Sequence, residues 1–132
     1  MKGFNMVVAK IGKEAYRTEL TVGGHTLIAD EPLDLGGKDL GPAPGTFLMI
    51  GLASCTAITL RMYANRKNWP LDSVHVEVDY EKLDNKTIFK REIMLLGDLT
   101  DEHRARLLQI ANACPVHKTL TNPIEVQTSL VS

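Results

Sequence analysis

Apolar and polar residues alternate from Tyr16 through Thr18, Leu20 and Val22, and again through Val74, Val76, Val78 and Tyr80. A period of two predicts strands with one covered and one wet face. Val7, Val8, Ala9 and Ile11 point to an earlier strand, and Gly23-Gly24 is a two-residue hairpin signal returning the chain as His25–Ala29. Asp84-Asn85 turns the second alternating run into a partner strand over 87–96. A last strand is expected at Ile124–Leu130, after Pro123.

The pattern changes at Thr46. Leu48, Leu52, Cys55, Ile58 and Met62 share a helical stripe, predicting a central helix from about Thr46 to Asn65 that Pro70 stops. Thr100 is an N-cap candidate with Asp101 and Glu102 behind it, and Leu107, Ile110, Ala111 and Cys114 then share one face. Between strand and helix, residues 30–45 form a long loop rich in Gly, Pro and Asp, of the kind that is functional or packed on something. The predicted order is βββ–α–ββ–α–β: one α+β domain over residues 1–132 with antiparallel sheets and two core helices.

Composition narrows the partners. A net charge of −1 with scattered Lys and Arg argues against nucleic acid, which wants a basic stripe. Leu40–Leu60 is uncharged, but Gly41-Pro-Ala-Pro-Gly45 is not expected to be helical, and the remaining 15 residues are too few to cross a bilayer. No membrane is expected. The stretch Met1–Ile11 lacks the apolar run of a secretion signal, which makes the cytoplasm, a reducing compartment, the expected location.

The candidate chemistry lies in two cysteines, Cys55 and Cys114, 59 positions apart. Each sits in an apolar, helix-like stretch, where a free cysteine is commonly a small packed hydrophobe. If the two helices meet, the pair becomes a dithiol site. A mid-helix Cys55 needs a cation brought from elsewhere to form a thiolate. Cys114 reads as the carboxyl end of its helix, where the dipole opposes a thiolate, with His117 and Lys118 just beyond. Cys114-x-x-His117 with Cys55 supplies three ligands where structural zinc takes four, so neither metal nor cofactor is expected and His117 reads as a polar end-cap.

Gly41-Pro-Ala-Pro-Gly-Thr-Phe-Leu-Met-Ile-Gly-Leu-Ala-Ser-Cys-Thr-Ala-Ile-Thr-Leu60 resembles the central-helix signature of the OsmC/Ohr family, the osmotically inducible and organic hydroperoxide resistance proteins. Cys114-Pro-Val-His-Lys-Thr-Leu120 is similar to that family's second cysteine motif, and His25–Pro32 to its hairpin strand and following loop. The resemblance implies an OsmC-like fold in an intertwined homodimer, with its active sites at the subunit interface. It implies a hydroperoxide reductase in which Cys55 attacks the peroxide and Cys114 resolves the sulfenic acid as a disulfide. An external dithiol or lipoyl-type reductant would reset the pair.

The same resemblance implies a cation from the first hairpin, for which Arg17 is the candidate and Lys13 the second. It also implies a Glu at the start of the central helix to hold that cation. Thr46 stands there instead, able to cap the helix but not to supply a charge-assisted clamp, so Glu19 or Glu31 are the alternative acids. Two rival readings use the same fold: a binder of small hydrophobic ligands with packed cysteines, and a thiol redox sensor.

Overall fold

Gly23 and Gly24 close the first hairpin with φ of 51° and 86°. A two-residue turn that matches the twist of its strands needs this left-handed pair, which glycine adopts without steric cost. The structure, a computed structural model, describes residues 6–132; the part of the N-terminal reading that falls on Met1–Asn5 lies outside them. Two compact units divide the chain, the first ending at Leu48 and the second covering Met49–Ser132.

In the first unit, β1 (Val8–Lys10), β2 (Thr18–Val22) and β3 (His25–Ala29) form an antiparallel sheet in that order. The loop that follows is packed rather than loose. Asp30, 2% exposed, accepts the backbone N–H groups of Glu31 at 2.7 Å and Leu40 at 3.1 Å. A 3₁₀ turn at Leu33–Leu35 lies between those two donors. Burial pushes the Asp30 carboxyl up, but the N–H groups of Glu31, Leu40, Lys38 and Tyr16 outweigh it and hold the group below its ordinary value.

Helix α1 runs Pro44–Lys67, longer at both ends than expected. Pro44 takes the first helical position, where its missing N–H costs nothing, so only residues 41–43 of the Gly/Pro stretch stay outside. At 24 residues and a window hydropathy of 1.5, α1 is long and apolar enough by length and composition to span a membrane. Within the second unit, however, it buries Leu60 and Ala64 completely against protein. The expected stripe is also corrected. Leu52, Thr56, Leu60 and Ala64 turn inward, whereas Leu48, Ile58 and Met62 are 54–64% exposed. A helix apolar on most sides offers periodicity no single face to choose.

The second unit pairs β4 (Leu71–Lys82) with β5 (Thr87–Gly97), placing Val76 opposite Ile93 and Val78 opposite Arg91. Helix α2 (Asp101–Ala111) begins at the expected cap: Thr100 Oγ1 accepts the His103 N–H at 3.0 Å, and His103 Nδ1 accepts the Thr100 N–H at 3.2 Å. Leu60, Leu107 and Ala111, all at 0% exposure, form the core with Trp69, Val74, Ile93 and Leu95 packed round it. Two details at the end of the chain differ from expectation. A short helix α3 (Pro115–Thr121) follows α2, and residues 123–132 are exposed with no regular structure. A strand needs a partner ladder for its N–H and C=O groups, and the segment has none among the described residues. The molecule is of the α+β class with two antiparallel sheets.

Candidate dithiol site

Cys55 and Cys114 meet. Their thiols are free and near each other, Cys55 half-buried on α1 and Cys114 fully buried between α2 and α3. The reading of Cys114 as a helix carboxyl end is overturned. Helix α2 stops at Ala111, and Cys114 is the N-cap of α3, its sulfur accepting the His117 N–H at 3.5 Å. Proline after the cap favours this start, because it fits the first helical position.

The two sulfurs are unequal. Burial works against a charge on Cys114, but the Cys55 S–H, the N–H groups of His117 and Val116, and the Thr56 hydroxyl together pull its pKa below the ordinary thiol value. Cys55 is pushed up, by burial first and then by donating its proton to Cys114, against smaller help from the Val116 N–H and Thr59.

The sequence reading missed Arg91, a cation on the covered face of β5. Its Nη1 donates to Thr56 Oγ1 at 3.1 Å and to the Ala111 carbonyl at 3.3 Å. Its Nη2 donates to Asn112 Oδ1 at 2.9 Å and to His117 Nδ1 at 3.1 Å. Since arginine only donates, Nδ1 must accept, which puts the His117 proton on Nε2. Burial and then the Arg91 charge hold the His117 pKa below its ordinary value. One signal was available: Phe89, Arg91, Ile93 and Leu95 share the covered face of β5, where a charged residue is out of place unless it has work to do.

The remaining candidates lie in the first unit. Arg17 and Lys13 are exposed ahead of β2, and Thr46 is the third residue of α1 rather than its cap, because the helix starts at Pro44. Among the described residues no three His, Cys, Asp or Glu side chains gather to hold a metal ion. His117 Nδ1 is already taken by Arg91. Beside the thiol cluster lies a cleft of about 410 Å³, with Leu52, Phe89, Ile93 and Leu120 on its apolar wall and Arg91 and His117 on its polar one.

The family model for OsmC-like protein matches residues 36–129. Solved structures share the fold. One from Psychrobacter arcticus, provisionally named an osmotic stress induced and detoxification response protein, is 21% identical with a TM-score of 0.75 over 90% of each chain. An OsmC-like protein from Mycoplasma pneumoniae is 16% identical, with a TM-score of 0.75 over 87% of this chain and 85% of that one. An organic hydroperoxide resistance protein OsmC from Legionella pneumophila is 25% identical, with a TM-score of 0.59 over 91% and 92%. No functionally curated protein matches the sequence. This α+β chain, with paired cysteines on its central and C-terminal helices, belongs to the OsmC-like family.

Proposed function

We propose that the chain is a cysteine-based peroxidase that reduces organic hydroperoxides. The observation that carries this reading is the nearness of Cys55 and Cys114, one thiol reachable and the other buried and held by the His117 N–H. A peroxide reaches half-buried Cys55. The Cys55 proton crosses to the Cys114 sulfur, and the Cys55 thiolate attacks the O–O bond. An S–O bond forms, the O–O bond breaks, and the alkoxide takes up a proton and leaves as an alcohol. Cys114 then attacks the sulfenic sulfur, closing the disulfide while its proton and the hydroxyl leave as water. An external dithiol, of lipoyl type in this reading, exchanges with that disulfide and restores both thiols.

Arg17 is assigned to orienting the peroxide, on the strength of family resemblance, with Lys13 as the substitute. Thr46 stands where a carboxylate would hold that cation, so a slower cycle is expected than with Glu in that place. His117 stays neutral and lends its backbone N–H to Cys114. The chain works as one domain in a cytoplasmic homodimer; the exposed apolar side chains Leu48, Ile58 and Met62 of α1 support the dimer. The cleft beside Arg91 favours one second reading, a binder of small apolar ligands.

One experiment separates these. Reduced protein is mixed with sub-stoichiometric cumene hydroperoxide, and intact mass and free thiols are measured. Loss of two hydrogens, absent in both Cys55→Ser and Cys114→Ser, and many turnovers with added dithiol are expected. Unchanged thiols sink the peroxidase and favour the binder, whereas a single oxidation without turnover marks a sensor.

A further inference from the structure

Tyr63 stands near the end of α1, and Arg66 and Lys67 follow it at spacings of three and four, which puts all three on one face of the helix. Both cations lie beside the phenol ring, with Arg66 Cζ and Lys67 Nζ each 5.7 Å from its centroid. A third cation comes from α2. Arg106 Cζ is also 5.7 Å from the centroid, and Arg106 Nε donates to the Tyr63 hydroxyl oxygen at 3.1 Å. A second bond, from Nη1 to Gln109 Oε1 at 2.9 Å, anchors that guanidinium. Trp69 packs edge-on against the same ring at 5.5 Å.

Three like charges gathered round one ring repel one another. Among the described residues no carboxylate pairs with any of them; the ion pairs present are Lys38–Glu14, His75–Glu77 and Lys90–Glu81. Acid is not scarce in the chain, where 16 Asp and Glu stand against 15 Lys and Arg. The face of an aromatic ring attracts a cation but carries no net charge, so Tyr63 does not neutralise the cluster. The dipole of α1 accounts for Arg66 and Lys67 in its last turn, but not for Arg106, which belongs to another helix. The cluster is also made of donors. Arginine and lysine have no acceptor, and the Tyr63 hydroxyl, having accepted from Arg106, still has its own proton to give. The Arg106 bond, and then the three charges, hold the phenol below its ordinary pKa against burial, which makes that proton the more readily shared.

We propose that Tyr63, Arg66, Lys67 and Arg106 form a binding site for a phosphoryl group. A phosphoryl group carries a charge of about −1.5 to −2 at neutral pH and three strong acceptor oxygens. That charge offsets most of the repulsion among the three cations, and the oxygens take up their donors. A carboxylate brings one charge and two oxygens and leaves more of both unanswered. The planar fork of arginine also matches two phosphate oxygens at once. Half-buried Tyr63 and anchored Arg106 make the fixed part of the site, and the exposed Arg66 and Lys67 close on the anion from α1. A compact group of three cations suits a single phosphoryl group, whereas the phosphate ladder of a nucleic acid needs a stripe. The site lies two turns beyond Cys55, about 12 Å along α1, and is independent of the peroxidase reading.

Trp69 is the chain's single tryptophan and touches Tyr63, so its fluorescence reads the site directly. The full chain is titrated with inorganic phosphate and with glycerol phosphate, against sodium chloride at matched ionic strength, while the thermal midpoint is followed in parallel. A saturable fluorescence change and a raised midpoint are expected with a phosphoryl ligand, and neither with chloride. Binding of inorganic phosphate, with or without the ester, assigns the site to the free anion; binding of the ester alone assigns it to a phosphorylated molecule. Tyr63→Phe keeps the ring and Arg106→Gln removes the anchored charge, and each is expected to weaken binding about tenfold, from the loss of one hydrogen bond to a charged group. Lys90→Gln removes the same charge from β5 and is expected to bind as the wild type does. No saturable change with either ligand overturns the proposal, as does unchanged affinity in Tyr63→Phe and Arg106→Gln. An equal loss in Arg106→Gln and Lys90→Gln overturns it too, because it marks diffuse attraction to the whole chain. If Arg106→Gln does not fold, Lys67→Gln, at an exposed position, takes its place.

Discussion

Arg91 donates to Nδ1 of His117 across 3.1 Å, which leaves the imidazole neutral with its proton on Nε2. A histidine whose folded pKa is lowered takes up its proton later in the folded chain than in the unfolded one. Its contribution to stability is complete above the ordinary value of about 6.5. It then declines as the pH falls from there towards the folded value. Denaturation midpoints measured from neutral pH downward should fall over that window, and His117→Gln should flatten the slope.

Cys55 and Cys114 should fail differently when replaced. Cys55→Ser is expected to abolish peroxide turnover outright. Cys114→Ser should stop at a sulfenic acid on Cys55, trapped by a 1,3-diketone and visible by mass, and without a resolver it should pass on to irreversible sulfinic acid under excess peroxide.

Leu60 and Leu107, both at 0% exposure, fill the centre of the second unit. Leu107→Ala or Leu60→Ala should each cost about 2–5 kcal/mol by urea denaturation, since the surrounding helices cannot collapse fully into the space. Leu108, at 60% exposure, is the neighbouring control whose replacement by alanine should be mild.

Asp30 gives the acid side of the profile. Its carboxyl is held below the ordinary range by backbone N–H donors against the opposing effect of burial. That contribution is present above the ordinary carboxylate value and is lost as the pH falls through the folded one. Asp30→Asn should unfold the loop at milder pH than wild type and lessen the dependence on acid, read by hydrogen exchange at Leu40 and Glu31.

The apolar side chains left open on α1 should matter for assembly. Ile58 and Met62 are 55% and 64% exposed. Ile58→Asp or Met62→Glu should give a monomer by light scattering where the wild type runs as a dimer, and an unchanged mass would count against the proposed homodimer.

Local chemistry was legible in the residues themselves. Gly23-Gly24 needs only its own backbone to form a turn, and Thr100 needs only the N–H three residues on. Cys114-Pro115 fits the end of one helix as well as the start of the next, since a proline ring suits the first turn of a helix, so the sequence alone does not choose between them. The Arg91–Thr56 bridge joins residues 35 positions apart and leaves no periodic trace. The stripe on α1 is ambiguous because nearly every side of that helix is apolar, and residues 124–130 alternate but have no partner strand among the described residues.

Trp69, the chain's single tryptophan, stacks on the His103 ring at 4.3 Å and meets Tyr63 edge-on at 5.5 Å. All three belong to the second unit. Tryptophan fluorescence, excited beyond the tyrosine band, is therefore an optical gauge of the dithiol-bearing unit alone, from an indole stacked on an imidazole. Melting of the N-terminal sheet would pass unseen by that gauge, and far-ultraviolet dichroism would have to record it separately.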